Sequence, residues 1–205
     1  MKTVLLLRHG EIAGLGRERC YLGQLDPPLS ERGREQMALL AHHPRLLPLR
    51  RILTSPLRRS AESAAILSAA IVGCSVETVP ALAEISLGQW EGLSFAEVRQ
   101  RFPEDYRRRG LDLPGFRPPG GESFTDLQRR VWPVFQRAAE EPGTVALMAH
   151  AGVNRVLLCQ ILGMPLEHLF RLGQDYGCCS VATVDDKGYR LAALNLTPAA
   201  MADGR

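Results

Sequence analysis

The 205-residue sequence has no apolar run approaching the length of a transmembrane helix, so nothing in it predicts a membrane partner. Nor does it have a marked charge excess. Its 25 basic and 22 acidic side chains give a formal +3 at pH 7, too little to suggest nucleic-acid binding and better suited to an anionic small molecule. The five cysteines, Cys20, Cys74, Cys159, Cys178 and Cys179, have neither regular spacing nor a Cys-x-x-Cys pair. A disulfide framework or zinc site is therefore not expected, and reduced thiols in a cytoplasmic protein are. Met1-Lys2-Thr3 leads straight into a strand-like run, without the apolar region and cleavage site of a signal peptide. Internal repeats and linkers are missing too. With 45% hydrophobic residues, the chain is expected to form one domain over residues 1–198 and a flexible tail over 199–205. The sequence says nothing of oligomeric state.

What is present is a set of strand ends. Thr3-Val4-Leu5-Leu6-Leu7 reads as a buried parallel strand and stops at Arg8-His9-Gly10-Glu11. Thr144 to Ala149 runs into His150-Ala151-Gly152, and Ile52-Leu53-Thr54 into Ser55-Pro56-Leu57-Arg58-Arg59-Ser60. In open α/β sheets ligands bind where strands end. Ser30 is expected to cap a helix to about His42, and Ser55-Pro56 to start one reaching Ile71. That start puts Arg58 in a first turn, where the helix dipole disfavours a cation, and so implies a partner anion; an exposed position fits Arg59 better. Ser94 and Glu97 form a capping box, and Ser123 caps a helix to about Glu140. Residues 103 to 122 are dense in Pro and Gly and are expected to be loop. The Arg107-Arg108-Arg109 run within them is either a solvated stretch or a substrate-facing arm. Residues 86–122 would be an insertion over the strand ends. Asp185 to Gly188 marks a hairpin. The order of elements predicts an α/β protein: a mainly parallel sheet with helices on both faces.

Arg8-His9-Gly10, the segment Thr54 to Arg59, Glu84 before Leu87-Gly88-Gln89-Trp90-Glu91-Gly92, and His150-Ala151-Gly152 together resemble the histidine phosphatase superfamily, which includes the cofactor-dependent phosphoglycerate mutases. The resemblance implies a three-layer α/β/α fold with an antiparallel edge strand. Phosphoryl transfer requires an in-line nucleophile, cations on the equatorial oxygens and a proton for the leaving oxygen. Arg8 and Arg58 would grip the phosphate and hold a neighbouring imidazole neutral. Charge alone does not say whether His9 or His150 attacks. The resemblance assigns attack to His9, through a phosphohistidine, leaves His150 as hydrogen-bond donor, and makes Glu84 the general acid. Gly23 and Gly152 are placed at the phosphate, and Glu11 is expected to orient Arg8 or Arg58. With two Arg and two His on the phosphate, no metal or cofactor is expected.

The pattern departs from that of mutases. Gly14-Leu15-Gly16 and Leu22 stand where mutases usually carry Asn and a Thr or Ser, and the insertion is shorter, which favours hydrolysis over transfer. Gly23 to Ser30, after Arg19-Cys20, is similar to bacterial α-ribazole phosphatases of cobalamin assembly. The expected substrate is a small phosphorylated metabolite. Mutase-type transfer, action on a phosphoprotein and a non-catalytic phospho-ligand sensor are the alternatives.

Overall fold

The computed structural model describes residues 2–14, 20–43 and 48–198; the expected tail, Leu15, Gly16 and Arg19 lie outside the described residues. A six-stranded sheet in the order β3-β2-β4-β1-β5-β6 organises the chain. Its strands are β1 (Lys2–Arg8), β2 (Leu49–Thr54), β3 (Ser75–Thr78), β4 (Thr144–Ala149), β5 (Cys179–Asp185) and β6 (Gly188–Leu196). The first four are mutually parallel. The antiparallel strand is β5, and β6 pairs on its outer side, so the expected antiparallel edge is a two-strand hairpin.

Both faces of the centre are covered, which is why β1 and β4 read as continuous apolar runs. Val4 and Leu6 of β1 and Val145 and Leu147 of β4 pack on one side beneath α5 (Phe124–Glu140) and α6 (Ala151–Leu162). Leu5, Leu7, Ala146 and Met148 pack on the other beneath α1 (Glu31–Ala41) and α2 (Arg58–Ala70). The Ser30 cap forms as expected, its side chain accepting from the Gly33 N–H.

Two local expectations are corrected. Helix α2 starts at Arg58, two residues later than Ser55-Pro56 indicated, with Leu57 as its cap. The Ser55 hydroxyl accepts the Leu57 N–H and faces His150. Within the expected loop, Pro103–Leu111 is helix α4, following α3 (Phe95–Arg101). Pro103 starts it, Glu104 and Asp105 occupy its first turn, and Arg108 and Arg109 its last, a charge order that suits the dipole. It buries no residue and so shows no apolar period to find in the sequence. A small separate core of Trp90, Val98 and Phe116 holds this region together.

The loop after β1 lies against α1 with no room for a side chain. A Cβ on Gly33 would collide with the Glu11 carbonyl, and one on Gly10 with that of Gly33. Gly33→Ala should therefore destabilise by about 1–3 kcal/mol, although alanine at a free helical site gains about 1 kcal/mol over glycine. Urea unfolding checks this, and a stabilised variant would contradict the close approach.

Candidate active site

The β1–β4 register pairs Arg8 with Ala149, so the next residue of each strand, His9 and His150, leaves the sheet side by side. Their ring centroids are 5.2 Å apart, and both side chains are buried. His9 Nδ1 lies 2.7 Å from the Gly10 carbonyl, which can only accept. The ring proton is thus on Nδ1, and the lone pair is on Nε2. Burial first, then the charges of Arg8 and Arg59, push the His9 pKa well below the ordinary imidazole value.

His150 can hold the opposite tautomer. The Ser55 hydroxyl, already accepting from Leu57, can give its proton to His150 Nε2 at 2.8 Å. Nδ1 then carries the hydrogen, is buried, and has no partner among the described residues. Burial, then His9, Arg59 and Arg8, lower the His150 pKa as well. In these tautomers one imidazole presents a lone pair and the other an N–H.

The guanidinium beside them belongs to Arg59, not Arg58. Arg59 is 1% exposed and donates to the carbonyls of Leu25 and Gly23 at 2.5 and 2.7 Å, with its nearest carboxylate, Asp26, at 3.9 Å. A buried cation whose hydrogen bonds go to carbonyls and whose ion pair is this long is costly and leaves a positive field for an anion. Arg58, its neighbour about 100° around the helix, is exposed and paired at 2.6 Å with Glu62, which is the anion its first-turn position implied. The phase of α2 explains the exchange. Arg59, Ser63 and Leu67 share its buried face, but alanines all round the helix blur that period in the sequence. Arg8 completes the cation pair: its guanidinium lies 3.9 Å from the Tyr176 ring centroid and donates to the Gln174 carbonyl at 2.5 Å. Tyr176, which the sequence did not single out, also flanks His9, at 5.6 Å between ring centroids.

Glu84 is buried and accepts two backbone N–H groups, Ile85 on Oε1 and Gly152 on Oε2, both at 2.9 Å. The Gly152 N–H is therefore committed to Glu84 rather than to a phosphate. A Cβ on Gly152 would collide with the Glu84 carboxylate, so this glycine sets where the acid sits. Gly23 is corrected in the same way: its N–H goes to Glu91 and its carbonyl receives Arg59. Glu91 also accepts from Gln24, Leu25 and Leu87 and fixes the loop that holds Arg59. Glu11 orients neither arginine; it binds the Ser30 hydroxyl and faces Arg32. Glu122 forms a two-oxygen pair with Arg130, which donates to the carbonyls of Ala81, Ala83 and Glu84 and steadies the segment carrying the acid. Among the described residues no group of three or more His, Cys, Asp or Glu side chains could hold a metal ion.

With two imidazoles, two guanidiniums and one carboxylate on the page, comparison with known proteins gives the lineage: residues 4–197 match the Histidine phosphatase superfamily (branch 1). The chain belongs to that superfamily. It is 36% identical over 182 residues to a bifunctional protein of Mycobacterium tuberculosis, covering 87% of this chain and 49% of that protein, so it spans about half the length of that relative. It is 31% identical over 201 residues to phosphoserine phosphatase 1 of Hydrogenobacter thermophilus, covering 96% of this chain and 93% of that one. The crystal structure of a putative alpha-ribazole-5'-P phosphatase from Escherichia coli superposes with a TM-score of 0.83 at 28% identity, covering 95% of this chain and 96% of that one.

Two outcomes test this geometry. Arg59→Ala should lower kcat/KM on a phosphate ester by about 10²–10³-fold, as loss of a preorganised charge does, and Arg58→Ala by less than about threefold; the reverse order would return the role to Arg58. In the unfolded chain both imidazoles take up protons near pH about 6.5, whereas the folded ones stay neutral to lower pH. The unfolded state then binds more protons, so stability should fall as pH drops below that value. Imidazole NMR should find residues 9 and 150 unprotonated at about pH 6; titration of both rings at the ordinary value would contradict it.

Proposed function

We propose that the chain is a metal-independent phosphomonoesterase that hydrolyses a small phosphorylated metabolite through a phosphohistidine on His9. The observation that carries this reading is His9, whose Nδ1 is turned to the Gly10 carbonyl and whose Nε2 is left in the field of Arg8 and Arg59, 5.2 Å between ring centroids from a second imidazole whose buried Nδ1 has no partner among the described residues. Arg8 and Arg59 take the equatorial oxygens of the phosphoryl group, bidentate contacts that suit guanidinium. The pair on Nε2 forms the N–P bond as the P–O bond of the ester breaks. The leaving oxygen takes a proton from the Glu84 carboxyl. The His150 Nδ1–H donates to a phosphoryl oxygen and stabilises the charge spread over it in the transition state. In the second half the Glu84 carboxylate takes a proton from water, whose oxygen attacks phosphorus and releases phosphate, restoring His9 and the Glu84 acid.

Residues 1–198 would act as one catalytic unit in the cytoplasm, a setting that fits five cysteines joined in no disulfide. No described helix is long and apolar enough to cross a membrane. The likeness to a putative α-ribazole phosphatase brings forward α-ribazole 5'-phosphate, of cobalamin assembly, as substrate, and the likeness to phosphoserine phosphatase brings forward O-phosphoserine.

His9→Ala should abolish acid-labile phosphoenzyme formed in the presence of EDTA; label retained in that variant would move the nucleophile. Glu84→Gln should slow hydrolysis of alkyl phosphates far more than that of p-nitrophenyl phosphate, whose leaving group needs no proton. Gly152→Ala, by displacing the carboxylate, should show the same pattern more weakly. Equal losses on both esters would remove the acid role.

A further inference from the structure

Two of the three arginines in the run on α4 are accounted for by their own helix. Arg107 pairs with Glu104 at 3.0 Å and Arg108 with Asp105 at 3.4 Å, both exposed pairs one turn apart. Arg109 differs. It is half-buried and has no carboxylate within ion-pair distance among the described residues. Its guanidinium carbon lies 5.9 Å from the ring centroid of Tyr21 and 5.8 Å from that of Phe170. Phe170 is a large apolar ring left 53% exposed. A second guanidinium, that of Arg155, reaches the same ring at 5.5 Å.

Arg155 connects this cluster to the phosphate site. It stands on α6 one turn after Gly152, the residue that holds Glu84. Its Nε is anchored on the Leu172 carbonyl at 3.0 Å. Burial first, and next the charge of Arg8, lower its pKa, so the two cations sense one another. Glu84 and Asp175 act on it from a distance, but neither is within ion-pair range among the described residues. Two guanidiniums therefore share one exposed aromatic ring, and like charges brought together without a counter-charge favour an anion between them.

We propose that Arg109 and Arg155, with Phe170 as the floor between them, form a second oxyanion subsite, and that the substrate is a phosphate monoester carrying a further anionic group, a carboxylate or a second phosphoryl. The inference rests on the phosphatase reading and narrows it, moving the substrate away from α-ribazole 5'-phosphate, whose alcohol carries no second anion. The phosphoryl group to be cleaved sits between Arg8 and Arg59, and the second anion turns the rest of the ester toward α4.

The test compares paired ligands on the full-length His9→Ala chain, which does not turn over. Calorimetric Kd values are measured for glycerate 3-phosphate against glycerol 3-phosphate, and for fructose 1,6-bisphosphate against fructose 6-phosphate. The subsite predicts at least tenfold tighter binding of one doubly anionic ligand than of its partner, and the pair showing it tells carboxylate from phosphoryl. Adding Arg109→Gln or Arg155→Gln should reduce that preference to about twofold or less, whereas Arg107→Gln should retain it. No preference in the parent chain, a preference unchanged by either glutamine, or one lost equally on Arg107→Gln overturns the proposal. Hydrolysis of p-nitrophenyl phosphate by the native chain, measured separately, reports on the phosphatase reading alone.

Discussion

The pairing of β1 with β4 is the constraint from which the site follows. Six residues of each strand run in parallel register, ending at Arg8 opposite Ala149, and the strands are buried on both faces by α1, α2, α5 and α6. Slipping the register by one residue would turn every apolar side chain of β1 to the wrong face, so the burial that stabilises the core also fixes the alignment. His9 and His150 are the first residues past that pairing. Their separation is set by packing of the leucines and valines behind them, not by any attraction between two imidazoles. β2 adds the third strand end on the far side of β4, where Thr54 pairs with Met148 and Ser55 follows against His150.

Around this frame the electrostatics are built from cations without matching carboxylates. Arg59 is held by two carbonyls and Arg8 by one carbonyl and an aromatic face, so neither charge is cancelled. The cost of burying them is offset by the rest of the fold and leaves a positive field at the strand ends. Burial first, and then these charges, keep both imidazoles neutral. Glu84 enters this field with its position, rather than its charge, tightly controlled. Two backbone N–H groups hold its oxygens, Gly152 leaves the space they need, and Arg130 with Glu122 secures the segment behind it.

Much of this was legible in the sequence because strand ends are legible. A run of apolar residues stopping at Arg-His-Gly is visible without a structure, as are Ser30, Ser94 and Ser123 as helix caps. The resemblance named Glu84, which no periodicity would have found, since it sits in an irregular segment and its partners lie far along the chain. Helix phase was harder to read. Arg58 and Arg59 are neighbours, and choosing between them needs the start of α2 to within one residue, in a helix whose alanines face every direction. The glycines were located but their task was not: Gly23 and Gly152 make room for Glu91 and Glu84 instead of offering N–H groups to a ligand. Helix α4 escaped notice because its stabilising features are charge order and Pro103, not burial.

The central claim is that a single phosphoryl group fits between His9 Nε2, Arg8, Arg59 and His150 Nδ1, with Glu84 on the leaving-group side. A crystal structure with vanadate tests it most directly. The account predicts vanadium bonded to His9 Nε2, equatorial oxygens on both arginines and on His150 Nδ1, and the Glu84 carboxyl within hydrogen-bond distance of the oxygen opposite His9. Vanadium bonded to His150, or its oxygens held by Arg58 with Arg59 turned away, would contradict it.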